Sequence, residues 1–245
     1  MKVTVIGHYG GSAPTGGATS SYLIEVEDKK ILLDCGAGSL NQLQKICDLN
    51  DINDVIITHY HYDHFSDLGT FVYNRLVRLN IGETANVLNI YGQDDGFFFN
   101  TFKMGNAVKL HPIDEATQLT IHGIKIDFLE TVHPVKCLAI RMKYQGKTFV
   151  YTADTAFMPI LVDFSREADL LIAECSLYSG FKGNQSGHMN TEDVAALINQ
   201  ANVKKCILTH LPIYGQPEKL LQVVKDLTTT DVVLASPLLA MDISK

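Results

Sequence analysis

The hexapeptide His59-Tyr60-His61-Tyr62-Asp63-His64 sets the strongest condition on how this chain can fold. It holds three of the nine histidines and follows directly on Asp54-Val55-Ile56-Ile57-Thr58. Such an apolar run reads as a buried strand. Three imidazoles and a carboxylate cannot be buried behind it without partners, and together they are metal-ligand chemistry. The fold must therefore end a core strand at an edge where four polar side chains converge. In an extended segment, residues i and i+2 face the same way, which directs His59 and His61 toward one ion. Asp63 and His64 lie past the bend and are placed for a second. Two neighbouring divalent ions can turn water into a nucleophile at neutral pH.

Each ion needs further ligands, and three residues that close apolar strands qualify. His133 stands in Glu130-Thr131-Val132-His133-Pro134, after a strand expected at 124–129. Asp154 stands in Tyr151-Thr152-Ala153-Asp154-Thr155, after a strand expected at 148–151. His210 ends Ile207-Leu208-Thr209-His210, after a strand expected at 206–208. Asp154 has two oxygens and can bridge two ions.

The remaining pattern supports one domain over residues 1–245, of α/β or α+β layered type. Further strands are expected at 3–7, 22–26, 31–34, 55–58, 87–91, 138–142, 170–173 and 232–234. Helices are expected at 68–79, 191–201 and 217–227, and Leu40, Leu43 and Ile46 form a helical stripe. Thr191 is expected to cap its helix, with Glu192 and Asp193 in the first turn. An apolar content of 46% is ample for a core. The formal charge is −7, and no basic run exceeds Lys29-Lys30 or Lys204-Lys205, so there is no strong basic footprint for long nucleic acid. The five cysteines, Cys35, Cys47, Cys137, Cys175 and Cys206, include no C-x-x-C pair and read as buried free thiols of a reducing compartment. No stretch approaches the ~20 apolar residues of a membrane span. The expectation is a soluble cytoplasmic protein. The Gly-rich segment from Gly10 to Gly17 lacks the G-K-[ST] of a phosphate loop. His8, His111 and His122 read as surface or turn residues, and Phe97-Phe98-Phe99 with Phe102 as core or a subunit contact. Tyr60, Tyr62 and Tyr214 adjoin ligand motifs and either shape a pocket or pack.

With these residues in order, the chain resembles the metallo-β-lactamase fold superfamily. The signature H-x-H-x-D-H is present as His59, His61, Asp63 and His64, and the later motifs match His133, Asp154 and His210. The resemblance implies a four-layer αββα sandwich with a dinuclear site. It implies His59, His61 and His133 on one ion, and Asp63, His64 and His210 on the other. Asp154 and a water or hydroxide would bridge them. Zinc is the implied metal, with manganese or iron as the other ions of this fold. Asp34, in Leu32-Leu33-Asp34-Cys35-Gly36, matches an early Asp that hydrogen-bonds the metal loop. The H-x-E-x-D variant of the diiron flavoproteins is absent.

Within the superfamily the chain is more similar to the ribonuclease Z and small phosphodiesterase branch. The short spacing from His133 to Asp154 carries this likeness. So do Leu171-Ile172-Ala173-Glu174-Cys175-Ser176 and Gly187-His188-Met189-Asn190-Thr191, the latter followed by Ala195-Ala196. The likeness implies a Glu174–His188 dyad near the scissile phosphate, and homodimers are common in that branch. Two departures stand out. Tyr62 replaces a common Gly, and residues 134–153 leave no room for the basic arm that clamps tRNA in many bacterial forms.

The resulting expectation is a dinuclear metal-dependent phosphodiesterase acting on a cyclic nucleotide or short oligonucleotide through a metal-bridging hydroxide. Asp63, His188 and Glu174 would be its catalytic residues. The alternatives are a thioester or lactone hydrolase on the same metals, a tRNA 3′-end endoribonuclease without its arm, and a non-catalytic binding protein.

Overall fold

In the computed structural model the expected apolar strands join two seven-stranded mixed sheets. The structure describes residues 1–244. Each sheet lies in its own unit, one of Met1–Asp114 with Ser236–Asp242, the other of Glu115–Ala235 with the residues after Asp242.

The first unit contains β1 (Lys2–Gly7), β2 (Ser21–Val26), β3 (Lys29–Leu33), β4 (Asp54–Ile56), β5 (Leu88–Gly92) and β6 (Val108–Pro112). Its helices are α1 (Ser39–Leu43), α2 (Tyr62–Phe65), α3 (Leu68–Asn80) and α4 (Phe98–Thr101). Leu68, Phe71 and Val72 recur at helical spacing, so one face of α3 is apolar. That face belongs to a buried cluster with Leu23, Leu32, Val55 and Ile90 of the strands. Arg75 extends the stripe and is itself fully buried. Its two terminal guanidinium nitrogens donate to the Ile52 carbonyl at 2.7 Å, Asn53 Oδ1 at 2.8 Å and the Asn86 carbonyl at 3.0 Å. The α3 helix thus tethers the segment that leads into β4 and the His59–His64 hexapeptide.

The second unit contains β7 (Gln118–Ile121), β8 (Ile124–Glu130), β9 (Leu138–Tyr144), β10 (Lys147–Tyr151), β11 (Leu170–Glu174), β12 (Lys205–Thr209) and β13 (Asp231–Leu234), with α5 (Pro159–Phe164), α6 (Thr191–Ala201) and α7 (Pro217–Leu227). β14 (Ala240–Asp242) returns to the first sheet and pairs antiparallel with β1. The first sheet is ordered β14-β1-β2-β3-β4-β5-β6 and the second β13-β12-β11-β10-β9-β8-β7.

Two tight hairpins shape the second sheet. His122-Gly123, between β7 and β8, and Gln145-Gly146, between β9 and β10, have positive φ at both residues. This is the turn whose twist matches antiparallel strands. The segment between His133 and Asp154 is thus built on two strands joined by a two-residue turn. His122 is a turn residue, whereas His8 is only 4% exposed and is not a surface group.

Three strands escape the sequence pattern: β6, β7 and β14. All are edge strands, where short length, charge and Pro112 weaken the apolar signal. The cap of α6 is also corrected. Asn190, not Thr191, caps the helix: its side chain accepts from the Asp193 N–H at 2.8 Å, while Asp193 accepts from the Asn190 N–H at 3.3 Å. Asn190 keeps extended backbone and Thr191 is already helical, so the reciprocal box closes one residue earlier. All five cysteines are free and all but Cys47 are buried. Of the phenylalanine run, Phe99 and Phe102 are buried and Phe97 is 66% exposed. Among the described residues, no helix is long and apolar enough to cross a membrane.

Candidate functional site

In the first unit, β3 and β4 run parallel and deliver their ends side by side. Asp34 follows β3 with φ 56°, a left-handed conformation uncommon for a side-chain-bearing residue. It is fully buried. Its Oδ1 accepts from the Thr58 N–H at 2.8 Å, and Oδ2 accepts from His64 Nδ1 at 2.8 Å. The Thr58 hydroxyl adds a bond to the same carboxylate at 2.9 Å. The next residue closes the frame, because the Cys35 N–H donates to the His64 carbonyl at 2.7 Å. Asp34 therefore fixes the His64 tautomer, with the proton on Nδ1 and the lone pair on Nε2.

The hexapeptide turns sharply at His61, which precedes α2 with extended backbone. This turn divides the ligands. His59 Nε2 and His61 Nδ1 face each other at 3.2 Å. Beyond the turn, Asp63 Oδ2 lies 3.8 Å from His64 Nε2. Asp63 Oδ2 also accepts from the Gly11 N–H at 2.6 Å, so the Gly-rich loop orients this carboxylate. Tyr60 packs edge-on against Phe65 and donates its hydroxyl to the Gln93 carbonyl at 2.8 Å. Burial pushes its phenol pKa well up, so it is a packing donor rather than an acid. Tyr62 is 69% exposed and stacks on Phe65.

In the second unit, β10, β11 and β12 are parallel neighbours, and their ends supply the polar groups. Asp154 is buried and His210 nearly so. Ala153, just before Asp154, and His210 itself have φ of 50° and 53°. His133 Nδ1 donates to the Gly187 carbonyl at 3.0 Å, which leaves its lone pair on Nε2. That approach needs glycine: Gly187 has φ 73°, and a Cβ there would collide with His133 and Pro134. His210 Nδ1 lies 2.7 Å from Ser176 Oγ. The Ser176 hydroxyl donates to Glu174 Oε2 at 2.8 Å, so its oxygen accepts the proton of His210 Nδ1. Both rings therefore turn Nε2 toward Asp154 Oδ2, His210 at 3.3 Å and His133 at 3.9 Å.

Glu174, fully buried at the end of β11, is the hub of this unit. Its Oε1 accepts from His188 Nδ1 at 2.9 Å and from the Met189 N–H at 3.0 Å. Its Oε2 accepts from the Ser176 N–H at 3.1 Å as well as the hydroxyl. The His188 ring stacks on that of His210 with centroids 5.2 Å apart. One ligand-type atom each of Asp154, His188 and His210 lies within 4.8 Å of the others.

The structure thus groups His59 with His61 and Asp63 with His64 in the first unit. In the second it groups His133, Asp154 and His210 with the Glu174–His188 pair. Thr58, Gly11, Ser176 and Gly187 take part without having been singled out in the sequence. They act through a hydroxyl or backbone atoms that any short polar residue or glycine provides, so only adjacency to a ligand marks them. The His and Asp donor set suits a divalent metal.

Comparison with known proteins decides the family. The family model described as "Beta-lactamase superfamily domain" matches residues 29–211. The chain belongs to the metallo-β-lactamase superfamily. Its fold is the α/β metallo-β-lactamase fold. It is 36% identical to the probable metallo-hydrolase YhfI of Bacillus subtilis, over 96% of this chain and 97% of that protein. The crystal structure of YhfI superposes with a TM-score of 0.95, covering 98% of each chain at 34% identity. Ribonuclease Z of Archaeoglobus fulgidus is 21% identical, over 86% of this chain and 87% of that enzyme. A diphosphatase of the PhnP family shares the fold with a TM-score of 0.77 at 16% identity, covering 98% of this chain and 97% of that one. The chain is accordingly a metallo-hydrolase of the superfamily, related to ribonuclease Z.

Proposed function

We propose that this chain is a phosphodiesterase that uses two divalent metal ions, zinc before manganese or iron, on a cyclic nucleotide or short oligonucleotide. His59, His61 and His133 would hold one ion, Asp63, His64 and His210 the other, and Asp154 would serve both. One observation carries the metal reading. The Nε2 lone pairs of His133 and His210 are turned toward a carboxylate oxygen, at 3.9 and 3.3 Å. Lone pairs facing a carboxylate repel, and a cation among them removes the repulsion. The protons that set this orientation are held by the Gly187 carbonyl and the Ser176 hydroxyl, the pattern of outer partners that metal-binding histidines have.

When bound, such ions supply Lewis acidity and a nucleophilic water at neutral pH. The chain's own residues do the rest. Asp63, oriented by the Gly11 N–H, positions that water. His188, with Nδ1 bonded to Glu174, keeps its outer nitrogen for a proton directed at a phosphoryl oxygen or the departing oxygen. The choice of phosphate over thioester or lactone rests on this pair. Between His133 and Asp154 the regular elements among the described residues are β9 and β10 alone, which supports a small or single-stranded substrate over tRNA.

The test combines metal analysis with a substrate panel. Two equivalents of metal and turnover of bis(p-nitrophenyl) phosphate or cyclic nucleotides are expected. Turnover of thioesters or lactones with no phosphodiester cleaved would replace the reading. Less than one equivalent of metal after reconstitution would favour a non-catalytic binding role.

A further inference from the structure

The second unit carries an aromatic groove that the proposed chemistry does not use. It has a volume of about 550 Å³ and is lined by Tyr178, Phe181, Tyr214, Gly215, Gln216 and Lys219. Two of its rings are open to solvent: Phe181 is 56% and Tyr214 53% exposed. Aromatic faces left open in one groove are area that a ligand can cover with a gain in free energy.

The groove is built rather than incidental. The Tyr178 hydroxyl donates to the Tyr214 carbonyl at 3.0 Å, and the two rings lie 5.9 Å apart at 48°. Gly215 has φ 77°, and any Cβ there would collide with the Tyr178 phenol. Glycine therefore lets the phenol close over the 214–216 backbone.

Its loops are also the loops of the candidate site. Tyr178 lies two residues after Ser176, whose Oγ is 2.7 Å from His210 Nδ1. Two residues span at most about 7 Å. Tyr214 is four residues beyond His210 in the same loop. Leu177 is fixed between them, its N–H donating to the Met189 carbonyl at 3.2 Å beside His188. Lys219, in the first turn of α7, adds a cation to the rim.

We propose that this groove seats the nucleobase of a nucleotide substrate, with Tyr214, Phe181 and Tyr178 as stacking surfaces and Lys219 beside an outer phosphate. The inference rests on the phosphodiesterase reading and assigns the place where the base of such a substrate sits. Aromatic rings select planar π-faces with little preference among bases, and the neighbouring lysine favours an anionic ligand over a neutral aromatic one.

Because the chain contains no tryptophan, Tyr214→Trp keeps a stacking ring and installs a single fluorescent reporter. Titrating that variant with adenosine 5′-monophosphate and with ribose 5-phosphate separates base from phosphate. The nucleotide is expected to bind at least ~10-fold more tightly, as one base–aromatic stack implies. Phe181→Ala in the same background should shrink that ratio. In the otherwise unaltered enzyme, Tyr214→Ala should raise KM for a cyclic nucleotide ~10-fold with kcat little changed. Equal binding of the two ligands, with phosphodiester turnover intact, overturns the groove and leaves the proposed function standing. Absence of all phosphodiester turnover overturns that function, while the titration still reads the groove.

Discussion

Asp34 and Asp154 occupy equivalent places in two sheets of the same plan. Each sheet has three antiparallel pairings followed by three parallel ones. Each carboxylate follows the strand at which the pairing changes, β3 or β10; Asp34 is itself left-handed, and Asp154 follows left-handed Ala153. Yet Asp34 meets His64 through Nδ1 at 2.8 Å, whereas Asp154 meets His133 and His210 through Nε2 at 3.9 and 3.3 Å. A protonated nitrogen facing a carboxylate makes a hydrogen bond, and the pair locks a ring. A lone pair facing a carboxylate makes a cation site. The same strand end thus yields a positioning group in one unit and, on the proposed reading, a metal ligand in the other, according to which edge of the imidazole it sees.

The sharpest break of this comparison is Asp154→Ala. Activity on the best phosphodiester should fall on the order of 10³-fold, as loss of several kcal/mol of metal-centred stabilisation implies. Metal content should fall with it, and full activity with full metal would remove Asp154 from the ligand set.

A histidine with no such partner gives the next effect. His8 is buried in the first unit, its Nδ1 without a hydrogen-bond partner, and burial lowers its pKa to about 4. The unfolded chain takes up this proton near 6.5, the folded chain only near 4. Stability from this group is therefore complete above about pH 6.5 and declines as pH falls toward 4, by on the order of 3 kcal/mol. His8→Gln should flatten that part of the curve in urea titrations across the same range. An unchanged slope would show that His8 is solvated.

Asp34→Asn tests the positioning side. One acceptor oxygen survives for Thr58, but the charged tie to His64 is lost. Activity or metal affinity should drop about 10–100-fold. A loss equal to that of Asp154→Ala would erase the distinction drawn between the two carboxylates. The smallest effect belongs to Asn190→Ala, which should cost ~1 kcal/mol in unfolding by denaturant. It should leave the His188–Glu174 bond, and so kcat, nearly untouched.

What could be read from the sequence follows the same division. The candidate ligands stand out in the sequence because imidazole and carboxylate rarely cluster after apolar strands without cause, as at His59 to His64. Interior strands such as β11 and β12 were legible from continuous apolar runs. Edge strands β6, β7 and β14 were not, since half their surface faces no core. Sequence alone does not separate the Asn190 cap from Thr191, because both are good capping types and only backbone geometry distinguishes them. Gly11, Gly187 and Ser176 were hidden for another reason. Their contribution is a backbone atom or a hydroxyl at one position in space, and composition carries no trace of that.

Glu174 holds His188 through one oxygen and, by way of Ser176, His210 through the other. Substitutions at 174, 176, 188 and 210 should then fail to add: once Glu174 is lost, a second change at 188 or 210 removes a partner already set adrift. Drift in a lineage would meet the same constraint. A variant at any one of these positions is judged against the other three, so the four are expected to change together or not at all.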